Sequence, residues 1–276
     1  MSEPKHITVL RHVTLLVFVA ISVYPILNVL SISLRPGNRL LSQDLSIIPA
    51  NWTFHSYWAL FNEQPFLRWM GNSLLVSLAV TMTGVALASI GGYAFSRFRF
   101  VGRDGSMIAI LTTQMFPATM LLLPLFILIS KLGLVNTFLG LMVFYTATAL
   151  PFCIWQMKGF YDTIPVSLEE AARIDGCDRY QAFRRVILPL AVPGLVITAL
   201  FSFMTAWSEY IVAAQVLQYR EMFTLPLGLK SFQASMSTEW GLYAAASILV
   251  SIPVVIVFVL LSRYLVSGLT LGSVKE

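Results

Sequence analysis

Six apolar stretches, each long enough to cross a lipid bilayer, dictate what this chain can fold into. They are Val13–Leu34, Asn72–Ser96, Gly105–Ser130, Phe138–Met157, Leu190–Ala213 and Gly241–Leu265. A helix needs roughly 20 apolar residues to traverse the hydrocarbon core, where only an internal hydrogen-bond ladder satisfies the backbone. Charged residues are 11% of the 276, against roughly 25% in soluble domains. A water-soluble fold of this size has too small an interior to hide the excess apolar surface. The expected fold class is all-α: a polytopic membrane protein with six transmembrane helices.

Orientation follows from the loops. The first stretch trails Lys5 and Arg11 but is longer than the roughly 7–15 apolar residues of a signal peptide and lacks a small-residue cleavage site, so it reads as an uncleaved anchor. Twelve Lys and Arg residues fall in the segments of one side, including Arg97, Arg99, Arg103 and the group Lys158, Arg173, Arg179, Arg184 and Arg185; six fall on the other. The richer side is expected to be cytoplasmic, with both termini inside. The chain then divides into a cytoplasmic start and first crossing (1–34), a periplasmic segment (35–71), a transmembrane domain (72–265) and a cytoplasmic tail (266–276). Within that domain the spans lie at 72–96, 105–130, 138–157, 190–213 and 241–265, with a cytoplasmic loop at 158–189 and a periplasmic loop at 214–240. The net charge of +5 sits in short loops between apolar runs, a membrane pattern and not a nucleic-acid footprint.

The polar inventory narrows the chemistry. His6, His12 and His55 all lie outside the apolar runs, so intramembrane metal or protease chemistry has little to work with. Cys153 in an apolar run and Cys177 in a polar loop are not expected to pair. Pro25, Pro117, Pro124, Pro151, Pro193 and Pro253 fall in or near five spans, where each removes a backbone donor and bends its helix. Gly84, Ala88, Gly91 and Gly92 form a small-residue ridge on the second span that suits close helix packing.

The loop from Lys158 to Pro189 carries the strongest signal. It holds five acidic and five basic residues and is several times longer than the roughly 2–8 residues that join helices in a bundle. Ser167 and Glu170 have capping-box spacing, predicting a helix through Leu168, Ala171, Ala172 and Ile174. Gly176 stands where a left-handed residue would end it. Asp178 can cap a second short helix, before Leu188-Pro189 turns the chain back toward the membrane. The apolar faces of such helices need a cover, either their own spans or a docked protein.

The pattern Glu170-Ala171-Ala172-x-x-x-Gly176-(nine residues)-Val186-x-Leu188-Pro189, with Asp175 before the glycine, resembles the EAA loop of binding-protein-dependent ABC importer permeases. Valine at 186 replaces the usual isoleucine. Asn72-Ser73-Leu74 is similar to the start of that family's transmembrane domain, and Leu265-Val266-Ser267-Gly268-Leu269-Thr270 to the tail of maltose-type permeases of the smaller, MalG-like class. Glu276 stands where a final glycine would be expected.

The resemblance implies a type I importer transmembrane domain whose loop is a coupling helix. Glu170 would pair with a basic group of a dimeric cytoplasmic ATPase, Ala171 and Ala172 would allow close approach, and Gly176 would make the turn. It also implies a second, homologous permease subunit, an extracytoplasmic solute-binding protein, and residence in a bacterial or archaeal cytoplasmic membrane. The expected cargo is maltose or a related glycoside, with glycerol-3-phosphate or trehalose as alternatives. No Gly-Lys pair occurs, so the chain lacks a P-loop; it is not expected to be an enzyme or to bind a cofactor or metal itself, and ATP and Mg would belong to the partner. For the substrate pathway the candidates are Gln114 and the cluster Trp207, Ser208, Glu209 and Tyr210. Glu209 is an acidic residue in a span that can equally face interfacial water. Two outer segments complete the expectations: Arg35–Gly71, with Trp52, Tyr57, Trp58 and Trp69, as an amphipathic cap, and Gln215–Trp240 as a loop reaching toward the binding protein. A secondary transporter is the runner-up class, disfavoured because paired intramembrane charges are nearly absent.

Overall fold

Leu, Val, Ile and Phe crowd the runs between the loops, and helix follows because lipid offers the backbone no other partner. In the computed structural model, which describes residues 5–37, 48–49, 51–233 and 238–271, the chain is helical throughout its ordered elements. They are α1 (Lys5–Ser33), α2 (His55–Asn62), α3 (Phe66–Arg97), α4 (Arg103–Thr113), α5 (Ala118–Lys131), α6 (Phe138–Asp162), α7 (Val166–Ile174) and α8 (Arg179–Ala182). A π-turn (Phe183–Ile187) and α9 (Leu188–Leu190) follow, then α10 (Val192–Ser208), α11 (Ile211–Val216), a 3₁₀ turn (Arg220–Met222), α12 (Leu225–Lys230) and α13 (Trp240–Leu271). No strand occurs among the described residues.

Four helices are individually long and apolar enough to span a membrane: α1, α3, α6 and α13. A further pair, Arg179–Leu190 and Val192–Ser208, is long and apolar enough only when its two helices, bent by 75° at the break, are taken together. Pro189 and Pro193 flank the bend, and the missing N–H of each leaves a carbonyl without its helical donor. The ladder widens just before it, with the Leu188 N–H reaching back to the Phe183 carbonyl. The stretch read as the third span is two helices. α4 ends at Gln114 and α5 begins after Pro117, because the residue before a proline is pushed out of helical geometry.

Several boundaries differ from the expected ones. α3, α6 and α13 each overrun their apolar cores, α13 as far as Leu271, so the start of the expected tail continues a helix. The fifth span stops at Ser208 instead of Ala213, and α11 follows as a separate short helix. Part of the expected cap at 35–71 and residues 234–237 of the outer loop lie outside the described residues.

The chain divides into two compact units. In the first, Met1–Leu67 with Gly228–Ile252, the Thr53 N–H bonds to the Leu34 carbonyl and the Ser33 hydroxyl lies 2.9 Å from that of Tyr57. Trp52 and Trp58 are exposed there. Trp69 is not part of such a cap. It belongs to α3, is fully buried, and donates its indole N–H to the Arg220 carbonyl.

In the second unit, Arg68–Leu227 with Pro253–Glu276, α6 packs along α10, and α3 approaches α6 at Gly91 and Gly92. The small-residue ridge explains how. A side chain at Gly92 would fall 2.7 Å from Met157 Cβ, one at Gly91 would press on Ile154, and one at Gly84 on Ser202. Gly194 of α10 likewise makes room for the Phe160 ring. Cys153 and Cys177 are both free thiols.

Candidate functional site

Helix α7 is mounted with its apolar side outward. Helical spacing puts Glu169 and Ala172 on one face, and these are its buried residues. Val166, Leu168 and Ile174 face out, Ile174 with 87% of its surface exposed, and Tyr180 of α8 is 67% exposed. Glu170 and Ala171 are exposed as well. A helix left to cover itself against its own spans would have the opposite register.

Each turn of this hairpin has a local cause. Pro165 opens α7, its carbonyl accepting the Leu168 N–H at 3.3 Å, since a proline at a helix start loses no needed donor. That early start moves Ser167 inside the first turn, and the expected Ser167–Glu170 capping box does not form. Glu170 therefore keeps its carboxylate free: among the described residues it has no hydrogen-bond or ion-pair partner.

At the other end Asp175 is the C-cap and Gly176 adopts φ +92°. The Cys177 N–H bonds to the Ala172 carbonyl and the Gly176 N–H to that of Arg173, at 3.0 and 3.1 Å. This is a Schellman closure, which needs a left-handed residue at that place. Asp178 then caps α8: its carboxylate accepts the Gln181 N–H at 2.7 Å, and the Gln181 side chain accepts the Asp178 N–H. The second helix does not turn at Leu188-Pro189 as the sequence suggested. It runs on through the π-turn to Leu190 before the bend, with Leu188 half-buried and Pro189 exposed.

The buried side of α7 holds an ion pair that sequence reasoning missed. Glu169 is 8% exposed. It accepts the Tyr93 hydroxyl at 2.5 Å and the Arg97 Nε at 3.2 Å. Arg97 also donates to the Ile164 carbonyl in the turn before α7, and to Ser96, whose hydroxyl bonds to Asp162. Asp162 pairs with Lys158 at 2.6 Å. The Tyr93 ring packs on Phe98, Tyr161 and Phe183. Removing one member of such a buried pair costs about 3–5 kcal/mol, although an apolar pair of like volume is often neutral. The only sequence signal was the Glu169-Glu170 doublet itself: neighbours on a helix lie about 100° apart, so one of two must face inward. An open cleft of about 350 Å³ lies beside this pair, edged by Arg99, Glu170, Arg173 and Arg179.

The residues expected on the substrate pathway behave differently from one another. Glu209 is not inside a span. It occupies the break between α10 and α11, where its carboxylate accepts the Val212 N–H at 2.9 Å and the Tyr145 hydroxyl at 2.6 Å. The helix break frees donors at the start of α11, and the carboxylate satisfies them. Trp207 is buried and stacks on Phe203, so its face is occupied by the core and is not open to a sugar. Ser208 is exposed but returns its hydroxyl to the Met204 carbonyl, and Tyr210 is 40% exposed. Gln114 donates to the Thr148 carbonyl of α6 at 2.9 Å. The Thr148 hydroxyl in turn donates to the Tyr145 carbonyl. The structure thus gathers Gln114 and Glu209 onto adjacent turns of α6. Tyr145, the joining residue, was invisible in an apolar run.

Comparison with known proteins identifies the family. A family model described as binding-protein-dependent transport system inner membrane component matches residues 81–271. The diacetylchitobiose uptake system permease protein DasC of Streptomyces coelicolor is 37% identical over 253 residues, covering 92% of each chain. The maltose/maltodextrin transport system permease protein MalG of Yersinia pestis is 37% identical, covering 96% of this chain and 92% of its own. A solved bacterial ABC transporter that imports the acidic polysaccharide alginate contains a chain of 25% identity. It superposes with a TM-score of 0.80 over 96% of this chain and 98% of that one.

Proposed function

The chain belongs to the family of binding-protein-dependent transport system inner membrane components, and from that premise we propose that it forms half of the pore of an ATP-driven oligosaccharide importer. It works with a second permease subunit, a cytoplasmic ATPase dimer that carries ATP and Mg, and an extracytoplasmic binding protein. Both termini and the α7–α8 hairpin face the cytoplasm, which is the side richer in Lys and Arg.

The observation that carries this reading is the register of α7. Its apolar side chains Leu168 and Ile174 and its unpaired Glu170 all face away from the protein. Exposed apolar area at a helix ringed by charges marks a surface meant for a partner. In this arrangement Ile174 and Leu168 fill a cleft on the ATPase, Glu170 meets a cation there, and Ala171 allows close approach. Ala172 seats the helix on its own protein, and Asp175 with Gly176 holds the hairpin turn. ATP-driven closure of the ATPase dimer then displaces the hairpin, and the bend between Leu190 and Val192 delivers that displacement to α10. Alternating access follows if the two permeases tilt against each other around the cargo.

The relatives named for diacetylchitobiose and maltodextrin support an oligosaccharide cargo, maltose or a related glycoside being the first to assay. Gln114, Ser208 and Tyr210 are the side chains best placed to meet it, since all three are exposed while Trp207 is buried and Glu209 is half-buried with its carboxylate held at the start of α11. The experiment is site-specific cross-linking in membranes from a cysteine at Ile174. Capture of an ATPase subunit is the expected result. Labelling of that cysteine only from outside the cell, with no ATPase captured, would overturn the reading.

A further inference from the structure

Helix α3 is tied by polar contacts at both of its ends. Near its start the Trp69 indole donates to the Arg220 carbonyl at 2.8 Å. One turn on, the Asn72 side-chain amide donates to the carbonyls of Glu221 and Phe223, both at 2.9 Å, and the Ser73 hydroxyl accepts the Leu225 N–H at 2.7 Å. At its last turns Tyr93 and Arg97 hold Glu169 of α7, and Arg97 holds the turn before α7 through Ile164. Between these joints lie about 30 Å of helix at 1.5 Å per residue, packed backbone-close to α6 at Gly92.

Neither joint is the cheapest way to fill space. A buried ion pair is on average no more stabilising than apolar side chains of its volume. What it adds is direction: the carboxylate has two donors on one helix and fits them in one position. A shift of α7 by about an ångström stretches both bonds beyond hydrogen-bond length unless α3 follows. At the far joint, backbone groups on three alternate residues, Glu221, Phe223 and Leu225, are held by two side chains of α3, so that segment follows in turn.

We propose that α3 is a strut coupling the α7 hairpin to the Arg220–Leu225 segment, with Tyr93, Arg97 and Glu169 as positioning residues at one joint and Asn72 and Ser73 at the other. The inference rests on the docking reading of α7, and gives it a route: the ATPase side and the outer loop expected to meet the binding protein are linked through one helix. The coupling is reciprocal, so loading outside biases α7 as much as ATP closure biases the outer segment.

The test uses the complete transporter in proteoliposomes, measuring basal ATP hydrolysis, its stimulation by loaded binding protein, and uptake. The double variant Arg97→Met with Glu169→Leu keeps the volume apolar and removes the directional bonds. It is expected to assemble in normal yield and hydrolyse ATP at the basal rate, while stimulation by binding protein falls about fivefold or more, the range of ordinary coupling free energies. Asn72→Ala, at the other joint, is expected to do the same. Should the double variant fail to assemble, Tyr93→Phe carries the test, since it removes one hydroxyl and leaves the ring packing. Full stimulation in the assembled variants, or lower yield with unchanged stimulation per complex, overturns the strut and leaves the docking reading standing. Failure of the unmodified chain to co-isolate with any ATPase overturns both.

Discussion

Gly92→Ala adds a single methyl group where α3 meets α6, and the geometry gives its cost. The new carbon would sit 2.7 Å from Met157 Cβ and 2.9 Å from the Lys158 backbone nitrogen. Non-bonded carbons rest about 3.5–4.0 Å apart, so the two helices must part by roughly 1 Å. Neither opposing atom is the free end of a side chain, so no rotation relieves the contact. A gap of about 0.5–1 Å forfeits a quarter to a half of the dispersion energy of each facing pair. Overpacking usually costs about 1–3 kcal/mol, which outweighs the roughly 0.5–1 kcal/mol that alanine gains over glycine in a helix. Gly159→Ala, in α6 itself, is the control. Nothing stands within 4 Å of its added methyl, and alanine in a helix gains about 0.5–1 kcal/mol over glycine. The same chemical change should therefore have opposite signs at two sites of one helix pair. Thermal unfolding of the purified chain in mild detergent, followed by tryptophan fluorescence, reads the difference. Midpoints moving in the same direction for both variants would refute the close approach at Gly92.

Other outcomes follow from the same geometry. Gly176→Val forces a β-branched residue to φ +92° in open space, so strain of about 1–3 kcal/mol acts without a clash; ATP hydrolysis should continue in the assembled complex while uptake falls, and intact uptake would count against the turn. Glu170→Lys reverses an unpaired charge on the outer face of α7, and is expected to lower the yield of co-purified ATPase without changing the thermal midpoint of the isolated chain. Normal yield would disconnect Glu170 from the partner. Glu209→Gln leaves one amide oxygen for three donors, the Tyr145 hydroxyl and the N–H groups of Val212 and Ala213. It should destabilise by about 1–3 kcal/mol, the penalty for an unsatisfied buried group, and Tyr145→Phe in the same chain should recover much of that loss. Additive losses in the double variant would show that the two groups are not partners.

The membrane class, the hairpin at 166–182 and its Gly176 turn were legible because each rests on local physics. Asp178 caps the helix that follows it, as its spacing with Gln181 allows. The Ser167–Glu170 box had equally good spacing and failed, because Pro165 started the helix earlier and used up the position. Local signals compete, and the sequence does not rank them. The third apolar run was long enough for one crossing but holds Pro117, and the geometry around that proline divides it. Trp69 read as part of an outer cap and Trp207 as a candidate for the substrate pathway, yet both are buried. Which face of a tryptophan-bearing helix turns inward depends on neighbours far along the chain.

Hydropathy and loop charge alone therefore determined that this chain is a helical membrane protein, and the Glu170-to-Pro189 pattern singled out its most distinctive loop. Those features depend on solvent and on residues a few positions apart. Tertiary structure decided which of two adjacent glutamates is buried against Arg97 and which stays free. It also turned Glu209 from an apparent residue of a span into the cap of a broken helix. A carboxylate's role depends on the donors that surround it, and here the hydroxyls of Tyr93 and Tyr145 come from helices more than sixty residues away in the chain.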